Sequence, residues 1–440
     1  MRSVSFVTMG CAKNEVDSDH MATLLEEAGY SITDEAENAD VVIVNTCSFI
    51  QAATEESIEA ILEVAGFDSI AHGRSHLVVA GCMPSRYGAD LEKELPEVGE
   101  FVPCADESSI VDVVRDLLKD DDGQGLGIPY HEEGTATRVP AARASVVSAY
   151  VKISDGCDRF CSYCTIPFIR GRYHSFTLDE IDAEIARVVA RGACEIVLIA
   201  QDTGRWGDDF DTPSSLAKLV AHVAEKWPQT WFRIMYIQPE GITDEFLEAV
   251  ATHENVCNYF DIPFQHSCAR ILSAMNRTGS GEEYLGLSRR IRNRIPDATL
   301  RTTLIAGYPG ETDDDFEELC DFVERLDFDY VGVFAYSRED GTRADMQSGH
   351  LDDDEKLARA QRLRDIADAS CMPRIAQRVS REMNVLVCGR EEDGQLYGRA
   401  MCQAPDVDGV TYVNDGKPGE IVRVVIDDTL LYEMEGTVLL

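Results

Sequence analysis

Three cysteines stand within eight residues of one another in the run Asp155-Gly156-Cys157-Asp158-Arg159-Phe160-Cys161-Ser162-Tyr163-Cys164-Thr165-Ile166-Pro167. The longer gap spans at most roughly 14 Å fully extended, so a folded loop can wrap one small inorganic centre. Soft thiolates select zinc, copper(I) or iron–sulfur. Three ligands leave a four-iron cluster one short of its usual four. An iron without a protein ligand is open to a substrate or cofactor. A structural zinc would want a fourth ligand, and the nearest histidine, His174, gives a spacing that fits none of the usual zinc patterns. A disulfide reading leaves one cysteine over and needs an oxidising compartment.

The chain around this loop alternates strand and helix. From Ala149 to about Ile375, strands are expected at Tyr150–Ile153, Ile196–Ala200, Phe232–Tyr236, Tyr259–Ile262, Leu300–Ile305 and Tyr330–Ala335. Helical patterns separate them at Leu178–Arg191, Ser215–Glu225, Asp244–Ala251, Gly281–Arg294 and Asp313–Leu326. Six βα units predict a partial (β/α)6 barrel. The cysteine loop follows its first strand, on the rim where barrel sites lie. Other rim segments are Gln201-Asp202-Thr203, Gln238-Pro239-Glu240, Gln265-His266 and Gly307-Tyr308-Pro309-Gly310-Glu311. Gly310 suits close backbone approach to a ligand, although a tight turn explains it equally well. Gln265 and His266 read as structural before catalytic. No catalytic acid or base is identified.

Residues 1–120 read as a parallel βαβαβ domain. Its strands are expected at Ser3–Gly10, Val41–Thr46 and Leu77–Ala80, and its helices at Val16–Glu27, Ala52–Val64 and Ile110–Leu118. Cys11, Cys47 and Cys82 each fall at or just after a strand end, 36 and 35 residues apart. Parallel strands bring their C-termini to one edge, the ligand-binding edge of open α/β sheets. A second cluster site is therefore expected there. The remaining eight cysteines, Cys104 among them, read mostly as buried small hydrophobes.

Residues 121–142, rich in Gly, Asp and Glu, read as a linker, residues 143–375 as the barrel domain and residues 376–440 as a small antiparallel barrel. That last segment holds twelve acidic against six basic residues, whereas a nucleic-acid-binding barrel should carry a basic stripe. The whole chain has a formal charge of −40. A heavily solvated surface or a proteome-wide acidic bias accounts for this; so does attraction of a basic partner. Nucleic acid is accordingly not expected as the main contact. No apolar run approaches the ~18 residues of a membrane span, and Met1–Phe6 leads straight into a strand. Fourteen cysteines without a leader fit a cytoplasmic chain using thiols for metal or redox chemistry.

The C-x3-C-x2-C loop, with aromatic Tyr163 before its third cysteine, matches the radical S-adenosylmethionine signature. Over nearly its whole length the chain resembles the radical-SAM methylthiotransferases, which run from a three-cysteine domain through a radical-SAM barrel to a TRAM barrel. Gly10-Cys11-Ala12-Lys13-Asn14-Glu15-Val16-Asp17-Ser18, the run from Asp155 to Pro167 with Arg170-Gly171, and Gln201-Asp202-Thr203 resemble the branch acting on a ribosomal protein, RimO. The tRNA-modifying branch, the alternative, typically has Gln-Met-Asn after the first cysteine and Asn where Arg159 stands.

The resemblance implies two 4Fe–4S clusters. One is held by Cys157, Cys161 and Cys164 and binds S-adenosylmethionine; the auxiliary one is held by Cys11, Cys47 and Cys82. Tyr163, Gln201 and Gly310 would be cofactor-binding. A 5′-deoxyadenosyl radical would remove hydrogen from the β-carbon of an aspartate in small-subunit ribosomal protein number twelve, giving 3-methylthioaspartate. A second S-adenosylmethionine would supply the methyl group, and an electron donor such as flavodoxin or ferredoxin the reducing power.

Overall fold

The structure is a computed structural model that describes residues 2–122 and 146–439. The expected linker, apart from its first two residues, lies outside the described residues. The described chain divides into two compact units. The first contains the N-terminal residues together with 156–158 and 164–172. The second contains the remainder.

In the first unit, strands β1 (Ser3–Thr8), β2 (Ser31–Ile32), β3 (Val41–Thr46), β4 (His76–Gly81) and β5 (Glu100–Pro103) form one sheet in the order β2-β1-β3-β4-β5. Every pairing is parallel. All six residues of β3 are buried. A strand covered on both faces needs no polar alternation, which is why Val41–Val44 of β3 read as an unbroken apolar run. One face packs Val4, Ile43 and Val78 against Met21 and Leu25 of helix Ala12–Glu27 and Ile110 and Val114 of helix Ile110–Asp122. The other packs Val42, Val44 and Val79 against Ile61, Val64 and Met83. Each fully buried Val, Leu or Ile contributes about 1.5–3 kcal/mol. The sequence reading found the three inner strands and missed β2 and β5. Both are short edge strands, and neither carries a run of buried residues.

The second unit holds six parallel strands in two three-stranded sheets. The first sheet contains β6 (Ser148–Lys152). A short antiparallel pair, β7 (Ser154–Asp155) and β8 (His174–Ser175), brackets the cysteine loop. Strands β9 (Glu195–Ile199) and β10 (Trp231–Ile234) complete the first sheet, in the order β10-β9-β6. Strands β11 (Tyr259–Asp261), β12 (Thr299–Ala306) and β13 (Tyr330–Ala335) make the second. An isolated parallel bridge joins Phe232 of β10 to Val256, just before β11. The six expected strands are all present.

The intervening helices start at hydroxyl caps. Thr177, Ser215, Thr243, Ser280 and Thr312 each accept the backbone N–H three residues on. Each such cap stabilises its helix by about 1 kcal/mol. A 24-residue helix, Asp353–Ala376, was not anticipated. Its buried stripe is narrow and made partly of Ala360, Ala367 and Cys371 among many charges, so its apolar period is faint.

Strands β14 (Glu382–Arg390), β15 (Leu396–Ala400), β16 (Thr411–Val413), β17 (Ile421–Leu430) and β18 (Glu433–Val438) close into a barrel ordered β14-β15-β16-β18-β17. The expected small barrel is present, with four antiparallel pairings and one parallel pairing, β16 with β18. Strand β17 lies on the far side of β18, so the chain returns along β16 in the same direction.

The barrel is tied to the start of β9, at the opposite end from the strand C-termini. Glu195 accepts from Arg233 Nε and Nη2 at 2.9 and 2.8 Å and from Arg399 Nη2 at 2.8 Å. Burial alone would raise the Glu195 carboxyl, but the two guanidiniums outweigh it and pull it down to about 2.

Candidate metal centres

In the first unit, Cys11 precedes helix Ala12–Glu27 as its capping residue, Cys47 follows β3 directly, and Cys82 opens helix Cys82–Tyr87 after β4. Strands β1, β3 and β4 are neighbours and parallel, so the three cysteines share one sheet edge. All three are free thiols; Cys11 is exposed and the other two are buried. The turn into Cys11 passes close over Cys47. Gly10 has φ +98°, and a Cβ there would lie 2.4 Å from Cys47 Cβ. Only glycine allows that approach.

Asn14 fastens the edge. Its Nδ2 donates to Met9 O and Thr46 O, both at 2.9 Å. Its Oδ1 lies 3.7 Å from Cys82 Sγ and 4.0 Å from Cys11 Sγ. A guanidinium completes the environment. Arg170 Nη2 donates to Asp17 Oδ2 at 2.7 Å and Asn14 Oδ1 at 2.9 Å, and lies 3.8 Å from Cys82 Sγ. Arg170 and Asp17 side chains are 3% and 0% exposed. Burial, then the neighbouring Cys11, push the Cys47 thiol up, against a downward pull from Arg170.

Cys104 follows β5 on the same edge, and contact with Cys82 raises its thiol first, burial second. Reading it as one more core cysteine missed this, because β5 was not recognised. Among the described residues no three His, Cys, Asp or Glu side chains converge on a single metal ion. An iron–sulfur cube asks for something looser. Each cysteine takes a different iron, so three thiols arrayed along an edge and faced by a cation suit it in donor chemistry.

The loop of Cys157, Cys161 and Cys164 runs from β7 to helix Ile166–Ile169. Gly156 has φ +72°, and a Cβ there would sit 2.2 Å from Arg172 O. Cys157 N–H donates to Gly171 O at 3.2 Å. Arg159 donates to Asp202 Oδ2 at 2.6 Å and Glu240 Oε2 at 3.2 Å. Asn276 Nδ2 donates to Arg159 O and Phe160 O at 2.9 and 3.1 Å, while Ser162 N–H reaches Met275 O at 2.9 Å. Phe160 holds φ +49°, a left-handed turn that Asn276 secures. Arg277 Nη1 lies 3.8 Å from Cys161 Sγ. Met275, Asn276 and Arg277 come from more than 100 positions away, and no local spacing announces them.

The other expected site residues have different standing in the structure. Gln201 follows β9, and both its amide atoms are buried without a hydrogen-bond partner. The adjoining Asp202 leaves Oδ1 in the same state. Burial holds its carboxyl above the ordinary range despite Arg159. Unsatisfied buried groups are costly, so this strand end fits a polar ligand. Tyr163 packs against an apolar cluster of Ile271, Met275, Tyr308 and Tyr336. Gly310 spends its N–H on Gly349 O and its carbonyl on Arg270 Nη2, both at 2.9 Å. What it offers a ligand is open space over its Cα. His266 and Glu311 are both fully buried, and Glu311 is engaged by Gly307 N–H and Arg359.

Three family models cover most of the chain: Uncharacterized protein family UPF0004 matches residues 3–102, Radical SAM superfamily residues 151–323, and TRAM domain residues 379–439. The ribosomal protein uS12 methylthiotransferase RimO of Symbiobacterium thermophilum is 42% identical over 98% of this chain and 90% of its own. Its namesake in Trichlorobacter lovleyi is 40% identical over 98% and 97%. That of Geobacter sulfurreducens is 39% identical over 99% and 98%. Among solved structures, the radical S-adenosylmethionine methyltransferase TsrM from Kitasatospora setae superposes with TM-score 0.56 over 77% of this chain and 74% of its own. At 16% identity this likeness speaks for the fold alone. With such identity along its whole length, the chain belongs to the RimO family of ribosomal protein uS12 methylthiotransferases.

Proposed function

We propose that this protein adds a methylthio group to the β-carbon of an aspartate in ribosomal protein uS12. The observation that carries the reading is the coexistence of two separate cysteine triplets, one on three adjacent strand ends and one in the loop after β7. In this reading Cys157, Cys161 and Cys164 hold one 4Fe–4S cluster, and Cys11, Cys47 and Cys82 hold the other. When bound, these groups and S-adenosylmethionine supply the one-electron chemistry that opens an unactivated C–H bond, together with the sulfur and methyl that replace the hydrogen.

The chain's own residues do the holding. Gly10 and Gly156 let the backbone make its close passes beside the ligands. Arg159, pinned by Asp202, fixes the loop between its first two cysteines. Gln201 presents an amide with no protein partner to the polar part of the cofactor. Tyr163 and Gly310 contribute packing and clearance.

The acidic barrel favours a basic ribosomal protein over free nucleic acid, with a small reductant such as flavodoxin or ferredoxin as electron source. No helix among the described residues is long and apolar enough to cross a membrane. Glu391, Glu392 and Asp393 form an exposed turn between β14 and β15. Reversing their charge slows capture of uS12 if the turn lies at the contact. Binding should weaken several-fold as the Debye length shrinks from about 30 Å at 0.01 M to about 8 Å at 0.15 M ionic strength. Salt-insensitive binding contradicts the electrostatic part. The direct test is mass spectrometry of uS12 from cells with and without this gene product, beside a digest of their tRNA. A methylthio mass on a uS12 aspartate supports the reading. A 2-methylthioadenosine in tRNA, with unmodified uS12, replaces it by the alternative.

A further inference from the structure

Each cysteine triplet is faced by one arginine, and the two arginines differ in what neutralises them. Arg170, beside Cys82, is paired at 2.7 Å with the buried carboxylate of Asp17. Arg277, half-buried beside Cys161, spends its hydrogen bonds on neutral oxygens, Gln238 Oε1 at 2.5 Å and Pro263 O at 2.6 Å, and the Glu240 carboxylate feels its charge only through space. Among the described residues no carboxylate lies within 4.0 Å of its guanidinium, and its Nε is buried without a hydrogen-bond partner. In a loaded site, Arg277 would face the Cys161 sulfur and the anionic centre it holds.

We propose that Arg277 is an electrostatic positioning residue of the radical cluster: its charge beside Cys161, bonded to no carboxylate, holds up the cluster's reduction potential, whereas Arg170, offset by Asp17, leaves the auxiliary cluster without that help. This rests on the reading of Cys157, Cys161 and Cys164 as a cluster site. A four-iron cluster on three thiolates is anionic and gains one further negative charge when it accepts an electron. A nearby cation therefore favours the reduced form, and burial strengthens the effect. Net charge, hydrogen bonds to sulfur and solvent exposure are the known determinants of such potentials. The division of charge suits the division of labour, because only the cluster that meets S-adenosylmethionine must be reduced to start turnover.

The test uses the full-length chain with Cys11, Cys47 and Cys82 changed to Ala, reconstituted anaerobically so that one cluster remains. Its paramagnetic resonance signal is followed in a potentiometric titration. Arg277→Gln should lower the reduced-to-oxidised ratio at a fixed potential at least tenfold, which is about 59 mV for a one-electron couple. Arg277→Lys, which keeps the charge, should stay near the parent. Gln238→Glu leaves the arginine in place but supplies the carboxylate it lacks, and should shift the ratio in the same direction as Arg277→Gln. It also decides the matter if Arg277→Gln fails to hold iron. An unchanged midpoint in Gln238→Glu, or equal shifts in the Lys and Gln variants, overturns the proposal. A parent without about four irons, or with a signal insensitive to S-adenosylmethionine, overturns the reading of the loop and this inference with it.

Discussion

Cys157, Cys161 and Cys164 lie in one loop of eight residues, while Cys11, Cys47 and Cys82 sit on three strand ends 36 and 35 residues apart. The first set is close in the unfolded chain already. The second comes together only when β1, β3 and β4 have paired in parallel and in register. Metal binding and folding are coupled wherever the ligand set does not pre-exist. The difference therefore teaches that the auxiliary site is a product of the N-terminal core, whereas the radical site depends mainly on the conformation of its own loop.

The largest effect expected from this contrast is on iron. The intact chain should bind about eight irons after reconstitution, and changing either triplet to Ala should leave about four. A content near four that does not fall when Cys11, Cys47 and Cys82 are removed breaks the two-site account, as does stoichiometric zinc.

A core substitution separates the sites more subtly. Ile43 is fully buried in the middle of β3, and Ile43→Ala should cost about 2–5 kcal/mol of stability. Iron bound at the auxiliary site should fall with it, while S-adenosylmethionine cleavage stays near normal. Equal loss at both sites, measured by iron content and 5′-deoxyadenosine yield, would erase the distinction.

Smaller effects come from the two glycines. Gly156→Ala must clear a backbone oxygen, and Gly10→Ala a cysteine side chain that can partly yield. Each should cost about 1–3 kcal/mol in thermal or denaturant unfolding, Gly156→Ala the more. Gly156→Ala should impair the radical site first, and Gly10→Ala the auxiliary site first. Reversed site selectivity would mean that the close passes do not govern ligand placement.

The same contrast explains what the sequence made legible. The inner strands announce themselves by long apolar runs, Val41–Val44 above all, and the six cysteines stand at their ends or in one compact motif. Edge strand β5 carries too little apolar sequence to be seen, and with it went the position of Cys104 beside Cys82. Arg170 and Asp17 were both visible as members of family-like runs, but their ion pair spans 153 positions. Arg159 and Asp202 each marked the ribosomal-protein branch separately; the structure shows them bonded to one another. Arg277 stood in no motif, and only the fold brings it to Cys161. Residues that are ligands leave a spacing in the sequence. Residues that tune ligands are recruited through space and leave none.

The central claim is that the two triplets do different work, and one paired measurement reaches it. Cys157→Ala and Cys47→Ala variants are reconstituted anaerobically, given reductant, S-adenosylmethionine and uS12, and assayed separately for 5′-deoxyadenosine and methylthioaspartate. Cys157→Ala should form neither. Cys47→Ala should still cleave the cofactor while forming no methylthioaspartate. Cofactor cleavage by Cys157→Ala, or product from Cys47→Ala, would contradict the account.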